Sequence, residues 1–93
     1  MKAIINGKSY NTDTATLIMS KDAYDCNGTY AGSNDLMITK HQKGLLFDAQ
    51  NSNGQNCYRD NYISALSKKD AIEFIDGQLL TDKEEALIYK YLL

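Results

Sequence analysis

The chain has 93 residues, of which 43% are apolar and 24% charged, with a formal net charge of −2 and no proline. This length predicts a single domain over residues 1–93 with one modest core, and the apolar content excludes an intrinsically disordered chain. The small negative charge argues against a dedicated nucleic-acid-binding protein, because such proteins carry a basic stripe.

The sequence gives no sign of a membrane or secretion signal. No apolar run approaches the ~20 residues that a membrane-spanning helix needs, and the apolar residues 3–5 are too few for the core of a signal peptide. We therefore expect a cytoplasmic protein with no membrane partner. Cys26 and Cys57 are then expected to be reduced thiols in or near the core. A disulfide is the alternative, if their Cα atoms lie within ~7 Å.

The N-terminal residues predict a β-hairpin followed by a third strand. Lys2 to Ile5 form the first strand, Asn6-Gly7 the turn, and Lys8 to Tyr10 the return strand, because Asn and Gly best tolerate the positive φ of a type I′ turn. Residues 14–20 (TATLIMS) are rich in β-branched side chains and predict another strand, with a helix as the less supported alternative. Its expected apolar face consists of Ala15, Leu17 and Met19.

Two polar regions predict long loops, and a second hairpin lies between them. Residues 21–35 and 51–60 are rich in Asn, Asp, Ser and Gly, which is typical of loops. Between them, residues 36–40 and 45–49 predict two strands joined by a turn at residues 41–44. Residues 62–65 predict a further short strand.

The C-terminal third predicts two helices. Ser67 is the expected N-cap of the first, with Asp70 three residues on and Gly77 just beyond the C-terminus. Its apolar stripe is expected to contain Ala71, Ile72 and Ile75, with Phe74 beside it.

Thr81 and Glu84 form the capping-box pattern of the second helix. Apolar residues cover this helix almost all round, so we expect it to pack on both the sheet and the first helix, or to meet a partner. The fold class that follows is α+β, a small antiparallel sheet of four or five strands with two short C-terminal helices on one face.

No catalytic or metal-binding set is recognisable in the sequence. His41 is the only histidine, and it falls in a predicted turn, away from any predicted nucleophile. Together with Cys26 and Cys57 it lacks the spacing of a zinc site. The carboxylates spaced three apart on the first helix are typical of a solvated face. We therefore expect no enzymatic activity, no cofactor and no metal.

Two sets of side chains are candidates for protein binding. Residues 70–85 carry six acidic side chains against Lys83 alone, which gives this acidic segment a charge of −5. The segment is either two solvated helix faces or a patch that steers a basic partner. Four tyrosines in or beside the polar regions either cover sheet edges or contact a partner. The candidate protein-binding residues are Asp70, Glu73, Asp76, Asp82, Glu84, Glu85, Tyr24, Tyr30, Tyr58 and Tyr62.

The opening segment INGKSYNTDTATLI resembles a pattern found in small proteins of phages and mobile elements of low-GC Gram-positive bacteria, Asn-Gly-Lys-x-aromatic-Asp/Asn-Thr-x-Thr-Ala. The segments DLMITKHQKG and LSKKDA are similar to later parts of such proteins. The middle region departs from the commonest members, since it is rich in Asn, Asp and Tyr and lacks their tryptophans. The shared motif looks structural, so no functional residue is carried over.

Some proteins of this group are anti-CRISPR proteins. The resemblance therefore implies a non-enzymatic inhibitor in the host bacterial cytoplasm, which binds a host defence protein, first of all a Cas effector, without contacting nucleic acid directly. Two alternatives stay open. One is a small nucleic-acid-associated regulatory module that uses Lys40, Lys43 and Arg59, and the other is a homo-oligomerising accessory protein, such as a homodimer formed through the last helix.

Overall fold

The structure is a computed structural model, and it describes residues 1–41, 43–52 and 60–93. The α+β class predicted from the sequence is confirmed, with six strands followed by two helices. In chain order the elements are β1 (Lys2–Ile5), β2 (Lys8–Asn11), β3 (Thr16–Tyr24), β4 (Tyr30–Ile38), β5 (Leu46–Ser52), β6 (Tyr62–Ala65), α1 (Lys68–Ile75) and α2 (Asp82–Tyr91).

The strands are divided between two antiparallel sheets. Strands β3 to β6 form one sheet in sequence order, and β1 and β2 form a separate hairpin. Residues directly opposite one another on neighbouring strands share a face of the sheet. One face, which we call the helical face, carries Leu36 and Ile38 and packs against the helices, while the other, which we call the hairpin face, carries Met37 and Phe47 and packs against β1 and β2.

The N-terminal hairpin forms as its sequence predicts. Asn6 and Gly7 have φ of 52° and 76°, the left-handed values that a two-residue hairpin turn requires. β1 has the predicted bounds, and β2 extends one residue further, to Asn11. The hairpin buries Tyr10 against the larger sheet, where its ring lies 5.3 Å from that of Phe47 in an edge-to-face arrangement.

A β-bulge in β3 corrects the predicted faces of that strand. Leu17 pairs with Met37 and Met19 with the adjacent Leu36, so Ile18 is the extra residue. The bulge moves Met19 to the helical face, where both it and Ile18 are buried, and leaves Leu17 exposed. The prediction that Leu17 and Met19 share an apolar face is therefore wrong, because a strict two-residue alternation does not allow for an inserted residue.

Both helices begin at the predicted caps. In α1 the Ser67 hydroxyl accepts a hydrogen bond from the Asp70 amide, and the Asp70 carboxylate accepts one from the Ser67 amide. Thr81 and Glu84 make the same reciprocal pair at α2. Two of the four amides that lack partners at a helix start are satisfied in this way at each helix.

The buried stripe of α1 differs from the predicted one. Ala71 is buried, and Phe74 and Ile75 pack against the core, but Ile72 is 39% exposed. The Phe74 ring also has the Lys21 ammonium of β3 over it, 4.1 Å from the ring centroid.

The prediction of a long loop over residues 21–35 is wrong, because strands occupy both ends of this range. β3 continues to Tyr24 and β4 starts at Tyr30, so only residues 25–29 form a turn, and β4 ends at Ile38 instead of Lys40. Similarly, β5 runs from Leu46 through the polar Asn51 to Ser52, beyond the expected end at Ala49. The remainder of the second predicted loop, residues 53–59, lies outside the described residues. The short strand β6 has its predicted bounds.

Three smaller predictions concern the cysteines, the second turn and the membrane. Cys26 is a free, exposed thiol in the turn after β3, not a core residue, and Cys57 lies outside the described residues. The amide of Gly44 donates to the carbonyl of His41 at 3.0 Å, as expected for a turn there. Within the described ranges, neither helix is long and apolar enough to cross a bilayer.

Candidate protein-binding surface

The β3–β4 hairpin brings two of the candidate tyrosines together. Tyr24 and Tyr30 are paired across the hairpin just before and after its turn. Their ring centroids lie 6.2 Å apart at an interplanar angle of 78°, and the side chains are 60% and 46% exposed. This edge-to-face pair is the most exposed aromatic contact between described residues, and it presents ring surface to solvent at the end of a strand pair.

Asp25 holds the turn between the two tyrosines. Its carboxylate oxygen Oδ1 accepts hydrogen bonds from the amides of Asn27 and Thr29, both at 2.9 Å, and its own amide donates to the Thr29 carbonyl. Gly28 completes the turn with φ of 77°. These polar residues, which suggest a long loop in the sequence, therefore form a tight turn, and the tyrosines beside it belong to strands.

Gly32 allows β4 to approach β5 closely, two residues after Tyr30. Its φ is 120°, and a Cβ atom at this position would lie 1.9 Å from the carbonyl oxygen of Asn51. The register of β4 against β3 shifts at the same point, between Ala23 and Tyr24. A side chain is excluded here, so the local course of β4, and with it the position of Tyr30, depends on a glycine.

A hydrogen-bonded polar cluster lies next to the tyrosine pair on the hairpin face. The Asp35 carboxylate accepts a bond from the Ser20 hydroxyl at 2.5 Å and one from the Asn51 side-chain amide at 2.9 Å. The same amide lies 3.5 Å from the Ser33 hydroxyl. The cluster spans β3, β4 and β5, so it ties three strands together.

These residues form one surface, which we call the open patch. The β1–β2 hairpin packs over Met37, Phe47 and Ala49. Alternation and cross-strand pairing place the tyrosine pair and the polar cluster on this same side of the sheet, further along β3 and β4. The open patch consists of Ser20, Asp22, Tyr24, Tyr30, Ser33, Asp35 and Asn51.

Tyr62 is not part of the open patch. It is exposed at the start of β6, opposite Gln50, which places it on the helical face. Tyr58 lies outside the described residues. Of the three predicted tyrosines that the structure describes, Tyr24 and Tyr30 lie together and Tyr62 lies apart from them.

The acidic segment lies on the helices and the connection between them. Asp70 and Glu84 are the N3 residues of the two capping boxes, so their carboxylates bind backbone amides of their own helices. Asp76 is the C-cap of α1, and Glu73, Asp82 and Glu85 are exposed. Four of the six acids are thus available to a partner without disturbing a capping box.

The outer side of α2 is partly apolar. Tyr89 and Leu93, four residues apart, are 63% and 71% exposed, and Leu79, in the connection before the helix, is 97% exposed. Ile88 and Leu92 are buried against β3 and β4 on the inner side. The outer side of α2 therefore exposes apolar side chains, which are needed for the alternative in which a partner binds this helix.

A shallow groove of about 340 Å³ lies near the C-terminal end of β4, away from Tyr30. It is lined by Ser9, Asn11, Thr14, Thr39 and His41. The Thr39 hydroxyl donates to the carbonyl of His41 at 2.7 Å and accepts from the amide of Leu45 at 2.8 Å. His41 is exposed in its turn, as predicted. The Thr39 hydroxyl in this groove is therefore already used to hold the neighbouring turn.

The basic residues of the nucleic-acid alternative are only partly visible. Lys40 and Lys43 are exposed at the β4–β5 turn, and Arg59 lies outside the described residues. Within residues 1–41, 43–52 and 60–93, no three His, Cys, Asp or Glu side chains lie close enough together to hold a metal ion.

Sequence reasoning missed the polar members of the open patch. Ser20, Asp22 and Tyr24 alternate with a period of two, and Asn27-Gly28 is the same dipeptide that predicts the first hairpin turn. These two signals together predict the β3–β4 hairpin, but the high polarity of the region conceals them. No protein-family model, curated protein or solved structure matches this chain.

Proposed function

We propose that this protein is a non-enzymatic inhibitor that binds a host defence complex of a bacterium, and that a Cas effector is the partner to test first. It acts in the host cytoplasm by occupying a surface of the effector. In this proposal the open patch and the exposed acids of the acidic segment make the contact, and no bond is made or broken.

The exposed Tyr24–Tyr30 pair is the observation that carries the binding part of the proposal. Tyrosine buries a large area at low entropic cost and keeps a hydroxyl for hydrogen bonding, so it is enriched at the centres of interfaces. Both rings lie on paired strands, which reduces the ordering that binding would require. Tyr24 is 60% exposed and Tyr30 46%, so a partner can contact both side chains.

The resemblance of the N-terminal segment supports the identity of the partner. The segment's residues have structural functions here, since Asn6 and Gly7 form the turn and the Thr12 amide binds the carbonyl of Met1. It therefore supports a shared hairpin with phage and mobile-element proteins, and the link to defence inhibition rests on the members of that group that are anti-CRISPR proteins.

The test is binding of the purified protein to a panel of purified Cas effectors, followed by a DNA- or RNA-cleavage assay with each effector that binds. We expect one effector to form a stoichiometric complex and to lose cleavage activity. Binding to none of them, combined with salt-dependent binding to free DNA or RNA, would contradict the proposal and support the nucleic-acid alternative. Light scattering of the free protein tests the homodimer.

Charge reversal tests whether the acidic segment steers association. Glu85→Lys removes an exposed acid and leaves both capping boxes intact, so we expect association with the effector to slow by about two- to fivefold at low salt. Asp13→Lys is the matched control, since it makes the same charge change on an exposed residue after the N-terminal hairpin. Equal association rates for the two variants would exclude steering by the segment.

A further inference from the structure

Two kinds of groups that attract a cation lie side by side on the open patch. The Tyr24 ring, which is 60% exposed, presents an electron-rich face, and Asp22 supplies a carboxylate two residues away on the same side of the sheet. Asp35 supplies a second carboxylate on this side, opposite Ser20 and about 13 Å further along the strands. Lys21, which precedes Asp22 in β3, lies on the opposite side, with its ammonium over Phe74. Among the residues that the structure describes, the open patch contains two carboxylates and no lysine or arginine.

The carboxylate of Asp35 is held in place before any partner arrives. Ser20 binds its Oδ1 and Asn51 binds its Oδ2, so both oxygens are oriented by neighbouring strands. Each carboxylate oxygen can accept two hydrogen bonds, which leaves Asp35 able to accept from a further donor. The Asp22 side chain is exposed on the edge strand β3, two residues before Tyr24.

We propose that the open patch binds an arginine side chain presented by the partner protein. A guanidinium group is planar and weakly hydrated, so it stacks on a tyrosine ring while its N–H groups donate to a carboxylate. The exposed Tyr24 ring can stack on the guanidinium, and the neighbouring Asp22 carboxylate can accept its hydrogen bonds. This inference rests on the proposed function, because it takes from it that the partner is a protein.

The same surface disfavours nucleic acid. Bases stack on exposed aromatic side chains, but single-strand binding also needs a positively charged groove that follows the phosphates. Here the charged group nearest to Tyr24 on this side of the described sheet is the Asp22 carboxylate, which repels phosphate. A lysine would satisfy the charge but not the planar stacking, so we expect arginine to bind more tightly than lysine.

The test is a ¹⁵N–¹H NMR titration of the full chain with the synthetic peptide acetyl-Gly-Arg-Arg-Gly-amide. We expect saturable shifts centred on the amides of the open patch. The peptides in which citrulline or lysine replaces arginine probe charge and planarity separately, and both should bind at least about threefold more weakly. A single-stranded oligonucleotide is the fourth probe. The assay needs no effector, so its outcome is independent of whether a Cas protein binds.

Two pairs of variants locate the binding. Tyr24→Leu and Asp22→Asn should each weaken arginine-peptide binding at least about threefold, while Tyr89→Leu and Asp82→Asn, at exposed positions on α2, should leave it unchanged. Asp22→Asn keeps the test valid if Tyr24→Leu loosens the hairpin. The proposal is wrong if the shifts centre on the acidic segment, if the citrulline peptide binds equally well, or if the oligonucleotide binds the open patch more tightly. Arginine binding without any effector complex would leave this inference standing and remove the partner identity in the proposed function.

Discussion

Replacing Gly32 by alanine is expected to destabilise the fold strongly. An added Cβ would lie 1.9 Å from the Asn51 carbonyl oxygen, where real contacts are not closer than 3.0 Å, so β4 and β5 must separate by about an ångström. The backbone φ of 120° adds strain for any residue with a side chain. The strain costs about 1–3 kcal/mol and the overlap about 1–3 kcal/mol, which gives about 2–6 kcal/mol in total.

This loss is large compared with the stability of a domain of this size. At about 0.05–0.15 kcal/mol per residue, the whole chain is expected to have an unfolding free energy of about 5–14 kcal/mol. At about 4–8 °C per kcal/mol, the Gly32→Ala variant should lose at least about 10 °C in Tm. Urea unfolding and thermal unfolding followed by circular dichroism measure both quantities.

Gly28→Ala is the matched control. Gly28 also has a positive φ, of 77°, but no atom lies within 4 Å of the position that a Cβ would take. This variant should therefore show backbone strain alone, about 1–2 kcal/mol. If Gly32→Ala loses no more stability than Gly28→Ala, the close approach of β4 and β5 at this point does not exist, and the reasoning that positions Tyr30 fails with it.

Three further substitutions test the core, a cap and the exposed side of the helices by urea unfolding. Phe47→Ala should cost about 3–5 kcal/mol, because the side chain is fully buried beneath the N-terminal hairpin, and a loss under 1 kcal/mol would show that the hairpin does not pack there. Thr81→Ala should cost about 1 kcal/mol and Thr81→Ser only a few tenths, since serine preserves the capping hydroxyl. Leu79→Ser should change stability by less than about 0.5 kcal/mol, and a larger loss would mean that this exposed side chain is covered in solution.

Local chemistry explains why some elements can be predicted from sequence. The Asn6-Gly7 turn and the two capping boxes each involve residues within four positions of one another, and their geometry follows from backbone conformation and short-range hydrogen bonds. The acidic character of the C-terminal third is equally a property of the sequence.

The extent of β3 and β4, and the surface that they carry, depended on tertiary structure. Polar strand residues such as Ser20, Asp22 and Asn51 are stable in a strand because a neighbouring strand satisfies their backbone, and that neighbour can be eleven or more residues away. The bulge at Ile18 likewise exists only through its pairing with β4.

The sequence by itself determined the α+β class, the first hairpin, the position of both helix starts and the charge of the last third, since each of these follows from interactions between near neighbours or from composition. Only the folded chain decided which polar residues share a side of the sheet with Tyr24 and Tyr30, because strand pairing and the register shift beside Gly32 bring together residues that are far apart in sequence.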